Sequence, residues 1–450
     1  MRTTLYWTAL VVAGCSGSPK QQPLPVQEPA PLADRAPAPA PPPVARPPGK
    51  TADATPDKAK GDAREAEFAK LSAGYFDAFN NGNAIFTPDR KRIVLQSNRD
   101  GLPQIYLAEV AKPADKPLRL VDSKERAVAD RITKDGKALL FRSDTGADEN
   151  WSIFRIGLDG KNLVELTPGD KLNRDEPFIA DGKPDTMFFS ARKMSESRST
   201  LYSAPLAKPG EAKAVYTDEM PAFLADLDRK GTTALVVQFP ERMENYVLRV
   251  DVATGKAQKL WPTDAKVSIF DARFSADGKQ IYVATDGGGE DNVLIAIDAK
   301  TGKEAARYAA TPKTAQISGI TVPKKGGVIG LSIVNGDHSE IVLVDSKLKP
   351  TKAAVKLPLG QGGLGEPSED GKRFVASWST PDKPTDVYAI DPATGKTEAL
   401  RKDVRETLAT LPKIKTSIVE IPTFDGAKIP TIVYVKEGEE NKPHPTIVSY

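Results

Sequence analysis

A sequence unit of about 46 residues recurs through most of this 450-residue chain. Its first copy reads FTPDRKRIVLQSNRDG at 86–101, followed by QIYL at 104–107. Turn aspartates mark the copies at Asp89, Asp135, Asp181, Asp228, Asp277 and Asp370. The first five are spaced by 46, 46, 47 and 49 residues, and the last interval of 93 holds two steps. A repeat of this length forms one supersecondary unit that buries its faces only against its neighbours.

Seven such units fill residues 80–405, each with two or three β-branched, aromatic or apolar runs and most with Asp-Gly at a turn. The sixth has Lys325-Gly326 in place of Asp-Gly. Four-stranded blades joined by such turns predict an all-β fold, a seven-bladed β-propeller over 80–412. A strand from residues 68–84 could instead close the ring, which would change the blade count by one.

The repeated aspartates are interpreted as turn residues. Their carboxylates have the chemistry of metal ligands or acid catalysts, but the same residue at the same turn of repeat after repeat is typical of backbone geometry.

Two glycine-rich stretches resemble nucleotide loops. Residues 360–365 read GQGGLG, but Glu366-Pro367 follows where a phosphate-binding helix would have to begin. Residues 287–291 read GGGED, without the Lys-Ser/Thr of a phosphate loop. We interpret the first as an inter-blade loop and the second as a flexible hairpin tip.

Composition excludes several classes of function. Lys and Arg total 63 against 60 Asp and Glu, a net charge of +3, which argues against nucleic acid as a partner. The only cysteine is Cys15 and the only histidines are His338 and His444, so we expect no disulfide, no metal centre and no cofactor.

The first fifteen residues read as a secretory signal. Arg2 precedes an apolar run from Leu5 to Ala13, which is too short to span a bilayer. The run Val12-Ala13-Gly14-Cys15 resembles the bacterial lipobox, in which the cysteine carries a thioether-linked lipid. We predict a signal peptide over 1–14, lipid attachment at Cys15 and a place in the cell envelope. Ser16 resembles the residue that directs lipoproteins to the outer membrane, facing the periplasm; the alternative is a buried cysteine in an ordinary signal.

A Pro/Ala-rich segment over 15–61 is predicted to be an extended tether, since it cannot bury a core. Residues 62–79 are predicted as a short helical lead-in. The repeat stops after Arg401, and residues 413–450 read as alternating strands around Asp425-Gly426, then a charged loop and a further apolar strand.

This order of parts resembles the prolyl oligopeptidase family of serine peptidases, and the repeats also resemble the Tol-Pal translocation propeller. The shared repeat is Phe-Ser-Pro-Asp-Gly-Lys, an apolar strand, Ser-Asn-Arg-Asp-Gly and an Ile-Tyr strand. In the peptidase family the propeller leads into an α/β-hydrolase domain that opens as residues 413–450 do. There a His-Gly-Gly-Pro segment helps form the oxyanion hole.

The resemblance implies peptide hydrolysis but carries over no catalytic residue. No Gly-x-Ser-x-Gly elbow is present, and His444 lies in a loop before the last strand, where it is interpreted as a solvated histidine. We therefore expect a fragment, or a reading frame that continues into the hydrolase domain.

Three functions remain open. The first is the propeller of a lipid-anchored peptidase that gates access for peptides. The second is a non-enzymatic propeller lipoprotein, like the Tol-Pal propeller, that binds a protein or peptide. The third is a former peptidase that survives as a binding module.

Overall fold

The computed structural model describes residues 58–289, 292–424 and 426–449. The predicted signal peptide, the lipid attachment at Cys15 and the tether up to residue 57 lie outside the described residues. In the described part of the chain, no helix is both long enough and apolar enough to cross a membrane.

One α-helix precedes the sheets. Helix α1 spans Lys58–Phe76 and so begins four residues before the predicted lead-in at 62. Lysine and alanine in residues 58–60 are good helix formers, which accounts for the earlier start. The next strand begins at Asn81, so residues 68–84 add no extra blade.

Seven antiparallel sheets follow one another along the chain. Blades 1 to 3 consist of β1 (Asn81–Phe86), β2 (Arg92–Ser97), β3 (Gln104–Glu109), β4 (Leu118–Arg119), β5 (Ala127–Ile132), β6 (Ala138–Ser143), β7 (Ser152–Gly157), β8 (Val164–Glu165), β9 (Asn173–Arg174), β10 (Thr186–Arg192), β11 (Ser199–Pro205) and β12 (Lys213–Asp218). Blades 4 and 5 consist of β13 (Ala222–Leu227), β14 (Thr233–Glu241), β15 (Glu244–Asp251), β16 (Ala257–Trp261), β17 (Ile269–Phe274), β18 (Gln280–Thr285), β19 (Val293–Asp298) and β20 (Glu304–Ala309).

Blade 6 has three strands and an isolated bridge between Val344 and Pro350. Blades 6 and 7 consist of β21 (Gln316–Thr321), β22 (Ile329–Asn335), β23 (His338–Val344), β24 (Gln361–Leu364), β25 (Phe374–Thr380), β26 (Lys383–Ile390) and β27 (Thr397–Ala399). A 3₁₀ turn, η1 (Glu406–Thr410), leads to a hairpin of β28 (Ile414–Pro422) and β29 (Lys428–Lys436). The seven-bladed propeller predicted from the repeat is therefore confirmed.

One prediction within blade 7 is wrong. Residues 361–364 were expected in an inter-blade loop, but they form β24, the first strand of the blade, paired with β25. The glycines permit this close pairing: a Cβ atom at Gly362 would overlap the carbonyl oxygen of Ser377. Of the second glycine-rich stretch, the described residues 287–289 lie in the turn after β18, where Gly287 and Gly288 have positive φ.

The hydrophobic core is divided among the interfaces between blades. Seven clusters of buried residues are found in the described part of the chain, each shared by two neighbouring blades. Alternate side chains of one strand serve different clusters, because successive residues of a strand point to opposite faces. On β2, Val94 packs toward blade 2, while Ile93 and Leu95 pack toward blade 7. Each blade is thus stabilised on both faces by its neighbours.

The two ends of the ring have different connections. The turns between the first and second strands of each blade lie on one face, here called the Asp-Gly face. Since the strands are antiparallel, the connections between second and third strands, and those from one blade to the next, lie on the opposite face, here called the distal face.

Candidate functional site

The repeated turns on the Asp-Gly face are held by hydroxyl and carboxylate side chains. In blade 2, the Thr133 hydroxyl donates to Asp135 at 2.6 Å, and the Lys137 amide donates to the same carboxylate at 3.0 Å. Blades 1, 5 and 7 repeat this pattern at Asp89, Asp277 and Asp370. These hydrogen bonds lower the pKa of Asp135. The interpretation of these four aspartates as turn residues is consistent with their contacts.

Two marker aspartates have other roles. Asp228 occupies the position of the hydroxyl residue, since its backbone amide donates to Thr233 as the Thr133 amide donates to Ala138. Its carboxylate accepts from the Thr232 amide at 2.7 Å. Asp181 of blade 3 instead bonds to side chains of neighbouring blades. Sequence spacing alone could not separate these roles. Within its turn, Asp228 lies two residues earlier than Asp135 lies in the turn of blade 2.

Ion pairs join neighbouring blades at the Asp-Gly face. Asp181 binds Lys134 of blade 2, and its other oxygen accepts from Arg229 of blade 4 at 3.0 Å. Lys324 of blade 6 binds Glu369 of blade 7 at 3.1 Å. Burial and the positive charge of Lys324 lower the pKa of Lys134 to about 8. These ion pairs link blade 3 to blades 2 and 4, and blade 6 to blade 7.

A second charged layer consists of residues on or just after the first strands of blades 2, 3 and 7. Arg131 of blade 2 binds Glu176 of blade 3 at 2.7 Å and Glu366 of blade 7 at 3.5 Å. Burial opposes the charged form of Glu366, but the surrounding positive charges, Arg131 foremost, lower the pKa of Glu366 to about 2. The two layers together form an ion-paired seal at this end of the central channel, named here the channel seal.

Asp226 and Arg273 complete this layer. The Asp226 carboxylate accepts from the Phe274 amide of blade 5 at 2.8 Å, and the Arg273 guanidinium donates to the Ala225 carbonyl of blade 4 at 2.9 Å. Burial raises the pKa of Asp226 to about 6, although Arg273 favours its charged form. The charged groups therefore also join neighbouring blades to each other.

Polar contacts close the ring between blades 1 and 7 on the distal face. Arg99 binds Asp403 at 3.1 Å, and Arg405 binds Asp386 at 3.0 Å. Both guanidiniums lie over the ring of Phe79, with 4.6 and 4.5 Å from the guanidinium carbon to the ring centroid. Asn81 donates to both carboxylates. We call this group the ring clasp. Every blade is built from strands that are consecutive in sequence, so no blade combines a strand from each end of the repeat region. The side chains of the ring clasp join the first and last blades instead.

The C-terminal hairpin follows the ring clasp. Much of its apolar surface is exposed, including Ile418, Val419, Ile421 and Ile429. Burial and the charge of Asp337, in the distal turn of blade 6, raise the pKa of Tyr434 on β29. The predicted strands on either side of residues 425–426 are present as the β28–β29 pair.

No catalytic triad is assembled by the histidines of the described residues. His338 lies 3.1 Å from the Asp337 carboxylate and 3.3 Å from that of Glu340. The neighbouring Ser339 hydroxyl accepts from the Gly362 amide. His444 is exposed. Among the described residues, no group of three or more His, Cys, Asp or Glu side chains is arranged to hold a metal ion.

A groove of about 820 Å³ lies on the outer part of blades 1 and 2. The β3–β4 loop forms one wall, with Lys112 and Lys116, and the turn residues Lys137 and Asp159 of blade 2 lie opposite. Its charges are mixed, and the groove has no nucleophile or base arranged for catalysis.

Comparison with known proteins relates the chain to peptidases. No family model matches it. It is 20% identical to dipeptidyl aminopeptidase BIII of Pseudoxanthomonas mexicana over 391 residues, which are 81% of this chain and 54% of that protein. The chain thus spans about half the length of the curated relative it matches.

Solved structures share the fold. A prolyl endopeptidase superposes with a TM-score of 0.62 and 19% identity, covering 85% of this chain and 59% of the other. Prolyl oligopeptidase B from Galerina marginata gives 0.64 and 14%, covering 85% and 60%. A puromycin hydrolase gives 0.62 and 16%, covering 81% and 60%. The predicted resemblance to the prolyl oligopeptidase propeller is confirmed, and these relatives do not favour the Tol-Pal alternative.

Proposed function

We propose that this chain is the propeller portion of a lipid-anchored serine peptidase of the prolyl oligopeptidase type, which hydrolyses peptides. The observation that carries the proposal is the sequence similarity to a dipeptidyl aminopeptidase over 81% of the chain, in a chain whose seven blades lead into a further hairpin. A binding propeller of the Tol-Pal type needs the blades alone and leaves the hairpin without a role.

The reaction would be acyl transfer. A serine hydroxyl attacks the peptide carbonyl, the amine leaves with a proton supplied by a histidine, and water then hydrolyses the ester. We assign none of these roles to residues 1–450. The contribution of this chain is to position and restrict the substrate.

Gating of the substrate is the role proposed for the ring. The channel seal supports it, because Arg131 of blade 2 binds Glu366 of the non-adjacent blade 7, and this ion pair would have to separate before a peptide could pass the Asp-Gly end. We expect folded proteins to be too wide for the centre of such a ring. The expected substrates are therefore short or unfolded peptides, which approach from the distal face.

The anchor is proposed at Cys15. Its thiol would carry the lipid, and the proline-rich tether would hold the propeller away from the membrane of the cell envelope. Metabolic labelling with an alkynyl fatty acid should mark the native protein, and Cys15→Ala should remove both the label and the membrane association. A labelled Cys15→Ala protein would contradict this assignment.

The intact mass of the native product from its own cells tests the peptidase proposal. We expect a protein longer than this chain by a domain of roughly 200 to 250 residues, labelled by a serine-directed fluorophosphonate. The same preparation should cleave an unstructured peptide and leave that sequence uncut within a folded domain. A native product without the label would leave a binding propeller as the function.

A further inference from the structure

The turns after the third strand of each blade are rich in lysine. These outer turns, at 110–117, 158–163, 206–212, 252–256, 299–303, 345–349 and 391–396, lie on the Asp-Gly face, because the strands are antiparallel. They hold ten lysines against five carboxylates. Lys112 and Lys208 pair with carboxylates of their own turns. The other eight are exposed and form no ion pair in the part of the chain that the structure describes: Lys116, Lys161, Lys256, Lys300, Lys303, Lys347, Lys349 and Lys396.

The aspartates beside these lysines are held against the backbone. In blade 6, the Asp345 carboxylate accepts from the Lys347 amide at 2.8 Å. In blade 5, Asp298 at the end of β19 accepts from the Lys300 amide at 3.0 Å. The same kind of contact is made by Asp159, Asp251 and Asp391. A lysine ammonium, in contrast, stands at the end of a flexible four-carbon stem. The charges that reach furthest out from these turns are therefore positive.

The turns between first and second strands add to this surface. Five more exposed lysines lie there without an ion pair among the described residues: Lys91, Lys137, Lys230, Lys325 and Lys372. Together with the eight of the outer turns, these thirteen lysines are named here the lysine face. Six of the seven blades contribute to it, all except blade 3. The positive charge is thus spread around the ring and not gathered in one pocket.

The hairpin turns at the other end of the ring have the opposite balance. Between the second and third strands of the blades, the described residues include eight carboxylates and four arginines or lysines. Three of these four cations are paired with carboxylates: Arg99, Lys193 and Arg198. A broad anionic surface would therefore attract the Asp-Gly face and repel the distal hairpin turns.

We propose that the lysine face binds the anionic headgroups of a phospholipid membrane. The spread over six blades fits a broad surface better than a compact ligand, and basic residues near such a surface are attracted to its anionic lipids. The outer turns contain no aromatic residue on which a nucleic-acid base could stack. The physiological meaning rests on the lipid anchor proposed at Cys15, whereas the binding itself does not. Docking in this orientation leaves the distal face open to the peptides of the proposed peptidase.

Vesicle sedimentation tests the proposal on a chain that cannot take the lipid. The full chain with Cys15→Ala is mixed with sucrose-loaded phosphatidylcholine vesicles, with or without about 30% phosphatidylglycerol. We expect at least tenfold tighter binding to the anionic vesicles. The difference should disappear in about 0.5 M salt, because the ions screen the charges. Binding through the apolar run of the predicted signal peptide would occur with both kinds of vesicle and would not produce this difference.

Two triple variants of equal net charge separate the face from the overall charge. The first lies in neighbouring outer turns of blades 5 and 6: Lys300→Gln, Lys303→Gln and Lys347→Gln. It should weaken binding to anionic vesicles at least tenfold. The matched control changes three exposed lysines at the distal end: Lys124→Gln, Lys171→Gln and Lys383→Gln. It should keep the affinity within twofold. Circular dichroism melts should be unchanged in both, since none of the six lysines forms an ion pair in the described residues.

Nucleic acid is the competing partner for a basic surface. Duplex DNA at the same phosphate concentration as the anionic lipid should leave most of the protein on the vesicles, and complete displacement would overturn the membrane assignment. Equal binding to neutral vesicles, or an equal loss in the two triple variants, would also overturn it.

The outcomes separate this inference from the proposed function. Vesicle binding that depends on the lysine face stands even if no fatty acid is found at Cys15 and no reactive serine in the native product. A lipid-labelled native peptidase whose Cys15→Ala chain does not distinguish anionic from neutral vesicles would leave the proposed function intact and remove the lysine face.

Discussion

Single residues determine how each repeat folds, and some of them could be read from the sequence. A hydroxyl two residues before an aspartate predicts the turns of blades 1, 2, 5 and 7, because both side chains act locally. The role of Asp228 could not be read, since a carboxylate can replace the hydroxyl only where the backbone places it against Thr233. The strand at residues 361–364 was also hidden, because its glycines resemble a loop until the partner strand is known.

Gly362 provides a prediction about this strand. A methyl group there would overlap the Ser377 carbonyl across the β24–β25 pair. Gly362→Ala should lower the free energy of unfolding by about 2–3 kcal/mol, as overpacking does. Gly289→Ala is the matched control, because no atom lies within 4 Å of its Cβ position. Urea denaturation measures both; equal stability of the two variants would show that β24 does not pack as described.

Asp226 provides a prediction about pH. Its pKa is about 6 in the folded protein against 3.8 as the ordinary value, so the folded state binds more protons than the unfolded state between these limits. Stability contributed by Asp226 is present at low pH and is lost as the pH rises from about 4 to about 6. The loss should be about 1–3 kcal/mol.

The comparison with Asp226→Asn isolates this effect. An amide accepts only one of the two backbone hydrogen bonds from Leu227 and Phe274, so the variant should be less stable by a constant amount. The difference between the two urea-unfolding curves should change only between pH 4 and pH 6. A difference that is flat over this range would contradict the raised pKa.

At the level of elements, the blades were predictable and their closure was not. Each blade is local in sequence, so apolar runs separated by turns reveal its strands. The ring clasp joins Asn81 and Arg99 to residues about 300 positions later, and no local pattern marks such a pair. The same holds for the contact of Arg131 with Glu366 in the channel seal.

The clasp predicts where the ring opens first. Arg99→Gln removes a mostly buried charge from Asp403 and should cost about 3 kcal/mol. Hydrogen exchange should accelerate in β1 and β26, which meet at the clasp, before it does so in β14. Arg198→Gln is the control, because its ion pair with Glu219 is exposed and should be worth less than about 1 kcal/mol. Uniform acceleration over all blades would argue against a local closure.

At the scale of the whole molecule, the two ends of the ring bring together different sets of charged residues. Lys134–Asp181 and Lys324–Glu369 join the turns of the Asp-Gly face, whereas the ring clasp and the segment leading to the C-terminal hairpin lie at the distal face. Composition could not predict this division, since the net charge of +3 hides how 123 charged side chains are distributed. The sequence predicts the ring; only three-dimensional proximity shows which charged residues each end brings together.

The ring should unfold as one unit, because each core cluster is shared by two blades. Leu140→Ala removes packing between blades 2 and 3, and Leu343→Ala does so between blades 6 and 7. Each should lower the free energy of unfolding by about 2–5 kcal/mol. The double variant should show the sum within about 0.5 kcal/mol, since the sites lie in different interfaces.

Cooperativity is read from the shape of the transition. Tryptophan fluorescence and circular dichroism should give one coincident urea transition in every variant, with an unchanged slope. Leu163→Ala, at an exposed position before β8, is the control and should change stability by less than about 0.5 kcal/mol. A second transition, or a Leu140→Ala variant that shifts only one of the two signals, would mean that the blades unfold in separate groups and that closure of the ring does not couple them.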